Sequence, residues 1–224
     1  MAISYEALLP DILPMVYGCS DTLIQNNIRS AVIELCEKAG VYQKELDPIT
    51  GVANIYEYDL EAPSGTSVHK ILWITHDNKE LEPITTALLE HRLSNWRENT
   101  GAPKYYVQQT AATFFIVPIP SSTTPGSTIV RAVLRPTHTS TACDNDVMND
   151  YRDTIVNGAL YRLLRIPSKD WTDPMGASVY GTLFNEGVIS AERRARNADT
   201  GVSRKVSYGG IHSNPRARRW RNAG

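Results

Sequence analysis

The chain has 224 residues, enough for one domain with a sizeable hydrophobic core or for a domain and a subdomain. Its 23 basic and 24 acidic side chains give a net charge of −1, but residues 190–224 hold nine basic groups against two acids and stand at +7, while the preceding 189 residues stand at −8. No apolar run approaches the roughly 18–20 residues of a bilayer-spanning helix, and the N-terminus lacks a basic region followed by an apolar core, so the sequence predicts a protein made in the cytoplasm with no membrane association.

After a short proline-containing leader, Ser20 and Asp21 offer N-cap oxygens, and Ile24, Ile28, Ala31, Val32, Leu35 and Ala39 recur at helical spacing until Gly40. Tyr56, Tyr58 and Leu60 alternate with Glu57 and Asp59 as in a half-buried strand; Pro63-Ser64-Gly65 turns into a second strand over 68–75, and His76-Asp77-Asn78-Lys79 reads as the next tight turn. Pro83 suits the first turn of a helix over 83–97. Strands follow near 104–109, 112–117 and 128–135, rich in Tyr, Phe, Val and Ile. From Asn145 the period is helical again through Met148, Tyr151, Ile155, Ala159 and Leu163, and Pro167 ends it. Asp173-Pro174 begins a last helix that turns polar through Glu192–Asn197. Residues 201–224 hold too few apolar side chains to offset their own ordering entropy.

These elements predict an α+β fold: a helical bundle from the N- and C-terminal helices (1–43 and 136–200), a central antiparallel β-rich insertion (44–135), and an extended basic C-terminal arm (201–224). Small residues at Gly176, Ala177, Gly181 and Gly187 permit close helix approach, which we expect at subunit contacts. A Leu in place of Gly181 should then block assembly with little effect on the subunit's own stability.

Catalytic signatures are missing. The motif set GxSxG, GxxxxGK[ST] and HExxH does not occur. His138, Cys143, Asp144 and Asp146 cluster without paired metal-ligand spacing; Asn149 and Ile155 stand where a calcium loop wants Gly and Glu, and Asp144 or Asn145 reads as a helix cap. His69 and His76 are expected on opposite faces of a strand. Cys19, Cys36 and Cys143 form no CxxC and are odd in number, as reduced thiols are, with Cys36 a core residue. We therefore expect no enzyme activity, no cofactor and no metal.

The basic tail is the stronger functional signal. Arg216-Ala217-Arg218-Arg219-Trp220-Arg221 mixes guanidinium groups with an indole, which suits either an acidic, aromatic-lined protein groove or phosphates and bases.

The order helix, β insertion, helix pair resembles the head-to-tail adaptor proteins of tailed bacteriophages, of the tail tubular protein A type. It is joined by Tyr56-Glu57-Tyr58 before Pro63-Ser64-Gly65, Trp96, Gly101-Ala102-Pro103-Lys104-Tyr105-Tyr106, Pro118-Ile119-Pro120, Arg135-Pro136 and Ile155-Val156-Asn157-Gly158-Ala159, and it covers roughly residues 20–200. The resemblance implies a virion structural protein in the neck: a homo-oligomeric, dodecameric ring between the portal protein and a tail or nozzle protein. Such a ring extends a channel through which double-stranded DNA passes without sequence-specific binding. It also implies that a C-terminal extension embraces the portal, a role that falls here to Arg204, Lys205, Arg216, Arg218, Arg219, Trp220 and Arg221, helped by Arg193, Arg194 and Arg196. The competing readings are a nucleic-acid-binding module using the arm and another neck or tail-terminating ring protein.

Overall fold

The computed structural model describes residues 2–93 and 95–197. It opens with a strand, β1 (Ala2–Ser4), and two 3-10 turns flanking α1 (Leu9–Ile12). This leader is a core segment: Tyr5, Leu8, Ile12 and Val16 are buried at helical intervals and pack into the same core as α2 (Asp21–Ala39). Pro10 and Pro14 divide it into short turns, so no continuous amphipathic run marks it in the sequence. In α2 the apolar residues read from the sequence are all buried, and Gly40, at φ 62°, closes the helix by donating its N–H to the Cys36 carbonyl at 3.0 Å. Ser20 takes the N-cap position, though its hydroxyl accepts no capping hydrogen bond.

After α2 come β2 (Gln43–Glu45), β3 (Ile49–Gly51), β4 (Glu57–Asp59), β5 (Thr66–His76), β6 (Lys79–Glu80), β7 (Glu82–Pro83) and the short helix α3 (Thr86–Arg92). Then follow β8 (Thr100–Gly101), β9 (Tyr105–Gln108), β10 (Thr113–Val117), β11 (Ile119–Pro120), β12 (Thr124–Pro136) and β13 (Ala142–Asp144). The chain ends, among the described residues, with α4 (Asn145–Asp150), α5 (Arg152–Leu163) and α6 (Pro174–Asn197).

The largest sheet has the order β2-β12-β5-β6, with β3 also on the β2 side of β12. β12 and β5 pair antiparallel from Thr128↔His76 to Pro136↔Thr66, with register shifts after Arg131 and after Val133. A second sheet runs β4-β10-β9-β7, antiparallel except for β7 beside β9. Tyr58, Tyr106, Phe114 and Ile116 of this sheet share one core with Val68, Ile71, Ile74, Val130 and Leu134 of the first. Two-stranded pairings, β1 with β13 and β8 with β11, complete the β structure.

The fold is α+β, but the expected helical bundle is overturned. Thirteen strands in four sheets outnumber six helices among the described residues, and only α2, α5 and α6 exceed seven residues. Those three helices pack on one another as one layer of a mostly β molecule, and α2 also lies against β12. Glu37 of α2 pairs with Arg135 of β12, and Gly40 sits against Val133. The helix expected over 83–97 is corrected too. Pro83 lies on an edge strand, where its missing N–H costs no ladder bond, and α3 begins after Thr85, whose Oγ1 accepts the Leu88 N–H at 3.3 Å. Trp96 lies beyond that helix, buried with Leu89, Val107 and Val117. Tyr151, at φ −118° and ψ 22°, splits the helix expected from Asn145 into α4 and α5.

Candidate functional site

α6 is positioned by its cap. Asp173 Oδ1 accepts the N–H groups of Met175 at 3.1 Å and Gly176 at 3.0 Å, and Pro174 occupies the first helical position. From there α6 runs antiparallel to α5. A Cβ built on Gly176 would meet the Asp173 carboxylate of its own cap first, with Leu164 at 3.6 Å; on Gly181 it would lie 2.8 Å from the Tyr161 ring and on Gly187 2.5 Å from Thr154. Gly158 of α5 in turn receives the Phe184 ring, 2.7 Å from a Cβ built there. The small residues expected at subunit contacts, Gly176, Ala177, Gly181 and Gly187, thus lie along the packing between α5 and α6 within one subunit, and Ala177 is buried there.

The outward side of α6 carries exposed apolar residues interleaved with polar ones such as Thr182 and Glu186. Met175 is 81% exposed and Val179 56%, with Leu183 and Ile189 exposed further along. At its start a groove of about 510 Å³ lies between the leader and the helices, lined by Met15, Leu164, Trp171, Gly176, Val179 and Tyr180, with Asp170 and Asp173 as its charged groups. Lys169 Nζ sits 6.0 Å from the Trp171 ring centroid, and the buried Trp171 Nε1 has no hydrogen-bond partner. The sequence reading missed this groove because three separated segments build it. Its one local signal is Trp171 in an otherwise polar loop after Pro167.

The far end of α6 carries Arg193, Arg194 and Arg196, all exposed. Arg194 pairs with Asp150 at 3.1 Å and its guanidinium lies 5.9 Å from the Tyr151 ring centroid, while Arg196 pairs with Glu192 at 2.5 Å. Gln43 ties this end to the large sheet: its Nε2 donates to the Gly40 carbonyl at 3.1 Å and the Ala195 carbonyl at 3.4 Å, and its Oε1 accepts from Arg131. A polar cleft of about 340 Å³ between Arg131, Asp146, Asp150 and Arg194 lies beside it. The chain therefore leaves its last described helix next to the sheet. Arg204, Lys205, Arg216, Arg218, Arg219, Trp220 and Arg221 lie outside the described residues.

Several of the residues weighed for chemistry have structural partners. Asp144 Oδ1 caps α4 by accepting the Asp146 N–H at 3.0 Å. Cys36 and Cys143 are buried in the helical core, and the neighbouring Cys143 side chain and burial both push the Cys36 thiol up, away from the nucleophilic thiolate. Burial pushes the Tyr42 hydroxyl up to about 12. His69 is exposed, whereas His76 is buried with Nδ1 2.9 Å from Thr128 Oγ1, and burial lowers its pKa, opposed by Asp77. Among the described residues no group of three or more His, Cys, Asp or Glu is placed to hold a metal ion, and no helix is long and apolar enough to cross a membrane.

A search of curated proteins finds no match. A family model described as SU10 adaptor protein matches residues 6–205, which takes in the buried leader, both sheets, the helical layer and the start of the arm. The chain belongs to this family of phage adaptor proteins.

Proposed function

We propose that this chain is a virion structural protein that assembles as a dodecameric ring in the neck of the particle, between the capsid portal and the tail. There it extends the DNA channel for genome retention and ejection, with no catalytic step. The observation that carries the reading is the family match over residues 6–205. The charge split supports it: a channel that lets DNA slide should not hold phosphate strongly, so an acidic body suits a wall and a basic arm suits a grip on another protein. In this reading Arg204, Lys205, Arg216, Arg218, Arg219, Trp220 and Arg221 attach the subunit to the portal. The ties of α6 to the sheet through Gln43 and to α4 through Asp150 fix where that arm departs.

The test is to mix purified full-length protein with portal rings of the same source and image the product by electron microscopy. A symmetric ring stacked beneath the portal is expected, and a chain lacking residues 202–224 should leave the portal bare. Portals that stay bare with the full chain, together with salt-sensitive DNA binding by the free protein, would replace the adaptor reading with a nucleic-acid-binding arm.

A further inference from the structure

The molecule has two separate cores joined along a narrow seam. Every buried residue of the helical core lies before Gly40 or after Ala142, and every buried residue of the core between the two sheets lies within 46–134. Tyr42, half-buried, packs against both. The chain passes between these two bodies at two points. At the first, the Gly40 N–H is bonded back to Cys36 of α2 and the Tyr42 carbonyl forward to Leu134 of β12, which leaves Val41 as the joint. At the second, the Thr137 N–H is bonded to Gly65 of the β body while the Thr141 carbonyl accepts the Tyr5 N–H of the leader, which leaves the exposed His138 and Thr139.

The seam is polar on both sides of one strut, the hydrogen bond from Gln43 to the Ala195 carbonyl. The cleft of about 340 Å³ that holds Arg194 lies on one side, and a second of about 380 Å³, lined by Lys38, Lys70, Glu192 and Arg196, lies on the other. Arg194 and Arg196 fall in different clefts because residues two apart on a helix do not share a face. Each cleft has room for several waters, so a small rotation of one body on the other opens no dry core.

Charge sets the direction of that rotation. Closing the second cleft would bring Lys70 of β5 toward Lys38 and Arg196, which repel it and are already paired with Glu34 and Glu192 on their own helices. Across the first cleft Arg131 of β12 and Asp146 of α4 have opposite sign. Asp150 there is taken by Arg194, whereas the Asp146 carboxylate has no ion pair among the described residues, and Arg131 is held by Gln43 Oε1 at 3.4 Å.

We propose that the β body, residues 43–136, rocks on the helical layer about Val41 and His138–Thr139, between the position in this structure and a second one in which Arg131 leaves Gln43 for Asp146 and the first cleft closes. The consequence, that a partner seated on the sheets alters the end of α6 from which the arm departs, rests on the function proposed above; the rocking itself does not.

The experiment uses the full chain spin-labelled at Ala111→Cys, in the turn between β9 and β10, and at Glu186→Cys on α6, both exposed positions. The native thiols are buried and stay unlabelled. Double electron–electron resonance, with the labelled chain diluted tenfold in unlabelled chain, reads distances within one subunit. Two distance populations are expected. Arg131→Glu and Asp146→Lys should each deplete the one that this structure does not show by about two- to fivefold, the range an exposed charge pair supplies, and the two together should restore it. Arg131 and Asp146 are exposed, so these variants should keep the circular dichroism spectrum of the parent. A single narrow distance, or a second population that either substitution leaves unchanged or that the pair fails to restore, would overturn the proposal. Two populations with the expected response in a protein that leaves portals bare would discard the adaptor reading and leave the rocking standing.

Discussion

Gly158 and Phe184 form a knob and a hole at the junction of α2, α5 and α6, and a double-mutant cycle measures how tightly that junction is packed. A methyl at position 158 would lie 2.7 Å from two carbons of the Phe184 ring and 3.0 Å from the Ala31 Cβ, and Phe184 and Ala31 are both buried. Overpacking of this kind costs about 1–3 kcal/mol. Replacing Gly with Ala inside a helix returns about 1 kcal/mol, so Gly158→Ala should destabilise by about 1 kcal/mol net. Phe184→Ala should cost about 3–5 kcal/mol through lost burial and the cavity left behind. Without the ring only the 3.0 Å approach to the Ala31 Cβ remains, and Gly158→Ala in that background should lie between neutral and stabilising by about 1 kcal/mol. The cycle should therefore close with a coupling of about 1–2 kcal/mol. Urea unfolding followed by circular dichroism, with a common slope for all four proteins, measures it. Additivity within about 0.5 kcal/mol would refute the packing described for this junction.

Two further outcomes follow from the same geometry. Because Gly181 faces Tyr161 inside the subunit, Gly181→Leu should lower the urea midpoint of the unassembled protein, by about 1–3 kcal/mol of stability; an unchanged midpoint would show that this side of α6 is free. Burial holds the His76 pKa below its ordinary 6.5, so the folded state favours the neutral ring. That contribution is fully present above the unfolded value and is lost as pH falls below it, because the unfolded chain then binds a proton that the folded one refuses. The urea midpoint should fall between pH 7 and pH 5, and His76→Gln should flatten the fall; identical pH profiles for the two proteins would exclude His76 as its source.

The sequence located the longer elements because their local chemistry is strong. The stripe from Ile24 to Ala39 with its glycine cap, the alternation around Tyr58, and Asp173 before Pro174 each carry enough signal within a few residues. It failed where an element takes its character from a distant neighbour. Pro83 reads as a helix start, yet β9 recruits it as an edge strand. The proline-broken leader reads as a preface, yet Tyr5 reaches across to hydrogen-bond Ser140 at 2.9 Å. The bundle expectation failed for the same reason: the apolar stripe of a helix shows that it is covered, and here part of the cover for α2 is a β strand. The basic arm was legible as composition alone, and the groove at Trp171 was not legible, since Met15, Leu164 and Val179 meet only after folding.

β12 has α2 on it, β5 along one edge, and β2 with β3 along the other. A pull directed along that strand would load its nine register pairs with β5 together, in shear, whereas a pull across it would open them one after another. The subunit is therefore mechanically anisotropic, stiffest along the axis of its longest strand, and the direction of that axis within an assembly determines which stresses the subunit can withstand.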